Sequence, residues 1–236
     1  MRRAALAAVL LVALAGCGSS SSSTGTAGRA TLWVTRDRGA QVLYSTRVPA
    51  GESVLRALDR VAKIKTRFGG RYVRAVEGVE EHGNRSWFYY VNGYLADRSA
   101  ADYRLRAGDV AWWDYRAWRN PAQDPVVVGA FPQPFLNGYD GRHRPTAILF
   151  AGSARRRGAL ALGKVLHTRF VRPDGATPPK NANVLLLTHA VGNVTRFEQT
   201  ARPLPQPGGG VFFVFSGDPL KLARHPGMFR YRYSVP

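Results

Sequence analysis

The chain has 236 residues, 45% of them hydrophobic, and its 34 Lys and Arg against 15 Asp and Glu give a formal charge of +19. That length supports one large or two small domains with real cores, and a single cysteine excludes an internal disulfide or a cysteine-built zinc site. The basic excess favours anionic partners, but it is dispersed, with Arg155-Arg156-Arg157 as its longest run, so no dedicated nucleic-acid interface is expected.

At the amino terminus Arg2 and Arg3 precede an apolar run from Ala4 to Ala13, and small residues lead into Cys17. This is the three-part layout of an export signal. The run is about half the length a helix needs to cross a bilayer, so it predicts a removable segment over 1–16. Leu14-Ala15-Gly16-Cys17 resembles the lipobox of bacterial lipoproteins. The resemblance implies cleavage before Cys17 and a diacylglycerol thioether on its sulfur, which would tether the mature chain to the cell membrane on its extracytoplasmic side. Residues 17–28, with the serines from Ser19 to Ser23, form a polar low-complexity stretch expected to act as a flexible spacer.

Folded sequence is expected over 29–120. Thr31-Leu32-Trp33-Val34-Thr35 alternates like a strand, residues 37–39 form a turn, and 41–48 return as a second strand. Pro49-Ala50-Gly51 ends it. Ser53 is placed to cap a helix in which Val54, Leu55, Leu58, Val61 and Ala62 share one face, and Gly69-Gly70 closes the segment. Further strands are predicted over 72–79, 87–91 and 110–115, with a tight turn at Asn92-Gly93. The order β-β-α-β-β-β lays one helix across a mixed sheet.

Three blocks here carry a resemblance: Trp87-Phe88-Tyr89-Tyr90-Val91-Asn92-Gly93, Ala101-Asp102-Tyr103-Arg104-Leu105 and Gly108-Asp109-Val110-Ala111-Trp112. Together they resemble the transcobalamin-like C-terminal domain, a β-grasp module of bacterial surface proteins and of eukaryotic vitamin B12 carriers. Gly51 to Leu58 is similar to the start of its helix. The resemblance implies a β-grasp fold that binds a soluble ligand, a cobalamin-like molecule being the first to consider, beside a membrane transporter. In the B12 carriers the domain covers its ligand against a large helical barrel, for which this chain has neither room nor helical repeats.

Asn120-Pro121-Ala122-Gln123-Asp124-Pro125 marks a second break. Beyond it, 125–131, 146–150, 183–188 and 210–215 are short apolar runs that suit strands buried on both faces. Gly158 to Leu166 is the clearest helix, a shorter one is expected after Pro219, and 229–233 alternates like an edge strand. The predicted fold class is therefore α+β, a β-grasp domain over 29–120 followed by a small α/β domain of unassigned role over 126–236.

Among possible sites, the aromatic set Trp87, Tyr89, Tyr90, Trp112, Trp113 and Tyr115, with Asn92 in its turn, is the candidate ligand- or partner-binding surface. Alternation sends neighbouring side chains to opposite sheet faces, and outward Trp and Tyr suit ring-bearing ligands or protein partners. Gly158 to Lys164 has the spacing of a phosphate loop, but Val165 stands where Ser or Thr should hold magnesium, and helix-forming apolar residues fill the interval. The five histidines lie at least fourteen residues apart and show no local ligand spacing, so neither a metal nor a cofactor is expected. No nucleophile elbow or paired-carboxylate motif is present. The sequence predicts a non-catalytic binding protein of the cell envelope. An adaptor without a small ligand is the second reading, and a hydrolase within 126–236 the third.

Overall fold

A computed structural model describes residues 28–118, 124–190, 192 and 194–236. The export signal and Cys17 lie outside the described residues. The described chain is α+β, dominated by sheet with short helices.

The first sheet forms as the sequence pattern requires. β1 (Arg29–Arg36) and β2 (Gln41–Pro49) make an antiparallel pair. Ser53 then caps α1 (Val54–Asp59) by accepting from the Arg56 amide, and Val54, Ala57 and Leu58 are the face that α1 buries. The helix is shorter than its apolar spacing predicts. Lys63 turns the chain by donating its amide to Glu77, and Ile64–Arg67 leaves as β3, antiparallel to β4 (Tyr72–Val76). The two-residue β5 (Val79–Glu80) completes this small sheet, so the strand predicted over 72–79 is split by a turn with Glu77 and Gly78 at positive φ.

β6 (Arg85–Val91), β7 (Tyr94–Leu95) and β8 (Val110–Ala117) complete the main sheet, in the order β2-β1-β8-β6-β7. β8 runs parallel to β1 and antiparallel to β6. Asn92 and Gly93 take φ of 52° and 90° at the β6–β7 turn, the pairing that tight hairpins favour. One face of this sheet, with Leu32, Val34, Trp113 and Val91, packs on α1. The register sets Trp33, Trp112 and Tyr90 side by side on the opposite face.

The second half covers that opposite face. Residues 125–131 do not form the predicted strand. Val126 makes a single bridge to Tyr94, after which Val128–Ala130 winds into a 3-10 turn. The carboxy-terminal segment presses on this turn so closely that a Cβ on Gly129 would lie 2.5 Å from the Arg232 carbonyl oxygen. The segment 229–233 is likewise no edge strand. Tyr233 and Tyr231 pack edge-on against Trp112 and Trp33 respectively, while Phe229 packs on Phe197 and Phe215.

After the short helix α2 (Gln133–Leu136), a second five-stranded sheet is built from β9 (Thr146–Phe150), β10 (Val171–Pro173), β11 (Asn183–Thr188), β12 (Arg196–Gln199) and β13 (Phe212–Ser216). Its order is β10-β9-β11-β13-β12, all parallel except the β12–β13 pair. Helices α3 (Arg156–Val165) and α4 (Pro219–Arg224) pack together, burying Ala159, Leu162 and Leu222 against Ile148 and Leu185. The phosphate-loop spacing thus lies inside α3, where its glycines serve packing. A Cβ on Gly158 would stand 2.4 Å from Cγ of Pro219. Among the described residues no helix is long and apolar enough to cross a membrane.

Candidate functional site: an aromatic cleft at the β6 edge

β6 pairs with β8 along its whole length, but with β7 only at Tyr90 and Val91. Between Arg85 and Tyr89 this side of β6 has a free edge. The direction of that edge follows from alternation. Asn92 donates its amide to the Val110 carbonyl, towards β8, whereas Arg85 exchanges both backbone hydrogen bonds with His82 on the other side. Trp87 shares the phase of Arg85, so its N–H and C=O turn away from β8.

A cleft of about 300 Å³ opens at this edge. Tyr72 and Val73 of β4 form one wall, Trp87, Phe88 and Tyr89 the second, and Leu95, Ala96 and Ala100 the third, with Trp113 and Trp118 at the base. The Tyr89 and Trp113 rings lie 5.1 Å apart and 31° from parallel, a stacked pair that fixes both planes. Tyr89 is further held by donating its hydroxyl to the Arg98 carbonyl at 2.6 Å, and Trp87 by donating its indole N–H to the Val79 carbonyl at 2.9 Å. Arg71 is ion-paired with Asp102, and Arg98 with Asp97 and Asp140, so the rim cations are held in place.

The indoles of Trp113 and Trp118 differ from that of Trp87. Their Nε1 atoms are buried and have no hydrogen-bond partner. A buried donor without an acceptor costs about 1–3 kcal/mol, and here two belong to residues that line one cleft. No carboxylate, histidine or cysteine lines it. Burial raises the Tyr89 phenol well above its ordinary value, and burial with the bond to Glu81 raises that of Tyr72. Both remain neutral donors at physiological pH. The cleft can stack a ring, while the Tyr89, Tyr72 and Trp87 donors are already spent on protein acceptors.

Of the seven residues singled out from the sequence, Trp87, Tyr89 and Trp113 line this cleft, and the other four are packed elsewhere. Tyr90 and Trp112 lie fully buried beneath Tyr233. Tyr115 stacks on Trp87 and donates to the Glu80 carbonyl. Asn92 is a structural pin: Nδ2 donates to Asp109 Oδ1 and the Gly138 carbonyl, and Oδ1 accepts from the Val110 amide. The expectation that part of each aromatic strand faces out therefore fails for Tyr90 and Trp112, because α1 and the carboxy-terminal half cover the sheet from opposite sides. Sequence reasoning missed Trp118, Tyr72, Phe88 and Leu95. Trp118 extends the aromatic run of β8 and was legible in principle; the others join the cleft only through folding. Among the described residues, no three His, Cys, Asp or Glu side chains converge as metal ligands.

Fold and cleft thus define an α+β protein with an aromatic pocket at a free sheet edge. Residues 51–117 match the model of a family described as a domain of unknown function (DUF4430). That span runs from the turn before α1 to the end of β8 and includes every residue lining the cleft except Trp118. Among solved structures the chain is similar to haptocorrin in complex with Cbi, at 16% identity and a TM-score of 0.33, over 43% of this chain and 28% of that one. It is also similar to a candidate metal binding protein from Ruminococcus gnavus ATCC 29149, at 14% identity and a TM-score of 0.32, over 39% of this chain and 98% of that one. No curated protein sequence matches the chain.

Proposed function

We propose that this protein is a non-catalytic lipoprotein, tethered outside the cytoplasm through Cys17, that holds a small ring-bearing molecule in the β6 cleft of a β-grasp domain. The observation carrying this reading is a cleft lined by Trp87, Tyr89, Trp113 and Trp118 and free of acidic side chains. The ligand it suits carries a flat apolar ring. A volume of about 300 Å³ is at the small end for ligand pockets. It suits one or two fused rings, or a single arm of something larger such as a corrinoid.

Tryptophan fluorescence of the chain, titrated with nicotinamide, riboflavin and cobalamin, tests this. A saturable change is expected, and Trp118→Phe, which puts a smaller ring in the cleft lining, should weaken binding about threefold. No saturable response to any of the three, with Trp118→Phe equally silent, would overturn it. The free edge at Trp87 favours a second reading, an adaptor in which a protein segment adds a strand to β6. Capture of an envelope protein that survives Trp118→Phe but is lost on Trp87→Pro would favour that reading instead.

A further inference from the structure

After Pro125 the chain carries fifteen basic residues against four acidic ones. Every ion pair among the described residues uses a cation from the first half, Arg38 to Arg106, so none of those fifteen is paired with a carboxylate. On α3 the unpaired cations are arranged. Arg156, Arg157, Leu160 and Lys164 recur three to four residues apart on its exposed face. Leu160, at the centre, is 45% exposed although aliphatic. Between this ridge and α4 lies an open groove floored by Ala161, Val165, Leu220 and Ala223 and edged by Arg224, with no acidic residue in its lining. A second shallow groove flanks the other side of the same ridge, past Lys164 to Arg169. Arg155 serves the fold by donating to the Thr188 and Ala151 carbonyls. α3 has no acidic residue in its first turn, and Arg155 to Arg157 oppose the helix dipole there.

We infer that the α3–α4 face docks on an anionic lipid bilayer. Charge complementarity and shape favour this occupant. The surface is a ridge with flanking grooves rather than an enclosed site, so it meets a plane. Its cations sit on long stems that can spread around one inserted leucine, the arrangement of interfacial helices on acidic headgroups. Apart from Ser153, no hydroxyl or amide side chain lines the α3–α4 groove to read a peptide. The inference is independent of the β6 cleft.

The test uses the chain carrying Cys17→Ser, which cannot be acylated, in sedimentation with phosphatidylcholine vesicles and with vesicles containing about one quarter phosphatidylglycerol. Binding to the anionic vesicles should be about tenfold tighter, and should fall when salt is raised from about 0.1 M to about 0.5 M. Arg157→Glu with Lys164→Glu should abolish that preference. Arg47→Glu with Arg56→Glu, which reverses as much charge on the exposed first half, should leave it nearly intact; circular dichroism checks that both pairs fold. Equal loss in the two pairs would show net charge acting without a site and overturn the inference. So would equal binding to neutral vesicles, or soluble polyglutamate displacing the protein from anionic vesicles, the outcome that marks an acidic protein partner.

Discussion

Gly158 shows how much one missing methyl decides. Alanine is a better helix former by about 1 kcal/mol, yet Gly158→Ala would drive a Cβ to 2.4 Å from the Pro219 ring and 3.1 Å from the Leu220 amide. Neither a proline ring nor a backbone nitrogen can swing aside, so α4 must shift. We expect a net loss of about 1–3 kcal/mol in urea unfolding; a gain would refute the contact. Asp109 makes a second case. Burial raises its carboxyl above the ordinary range, against the lowering effect of bonds from the Arg106 amide and Asn92. With a raised folded value, its stabilising contribution is complete below the unfolded value of about 3.9 and is lost as pH rises through the folded one. Asp109→Asn resembles the protonated form, so its deficit against the parent should shrink between about pH 3.5 and pH 7. The carboxylates whose values are lowered by their partners, such as Glu77 and Glu80, titrate alike in both proteins and cancel in the difference.

β8 is the element on which most of the core depends, because it sends aromatic side chains to both faces. On the face away from α1, Trp112 donates its indole N–H to Thr35 at 2.7 Å, and Thr35 donates to Asp114 at 2.6 Å. The same buried carboxylate accepts from the Arg38 and Gly39 amides and from the Tyr233 hydroxyl. All its acceptors are occupied, which is what makes a buried charge tolerable. Burial meanwhile pushes the neighbouring Tyr90 phenol up to about 12. Trp112→Ala should therefore cost about 3–5 kcal/mol by leaving a large cavity. Tyr233→Phe should cost only about 1–2 kcal/mol, since three donors still serve Asp114. Equal losses in denaturant unfolding would mean that the tail hydroxyl, and not the ring stack, holds the interface.

Across the whole molecule the two five-stranded sheets are joined by more than the segment between them. Tyr94 donates to the Gly209 carbonyl at 2.9 Å, and Val128 donates its amide to the Tyr233 carbonyl at 3.1 Å. Val235 pairs with Phe197, and the tail tyrosines cap Trp33 and Trp112. Deleting residues 226–236 would strip this cover and expose a contiguous aromatic face. The expected outcome is a melting temperature lowered by about 10 °C or more, with uptake of a hydrophobic dye. A truncated chain that melts like the parent would show that the first sheet does not need the tail.

What the sequence determined by itself is local. Period-2 alternation marked β1, the turn after it marked β2, aromatic runs beside turns marked β6 and β8, the parallel strands β9 and β11 were legible as short apolar runs, Ser53 announced α1, and Asn92-Gly93 announced its turn, because each is set by neighbours within a few residues. Of the aromatic set read from the sequence, Trp87, Tyr89 and Trp113 line the cleft. Which rings face a cavity was decided only by tertiary structure. Alternation says that neighbouring side chains point opposite ways, but not what covers each side. Here the last residues of the chain, more than a hundred positions from β8, return to bury one face, while β4 stops short of closing the other.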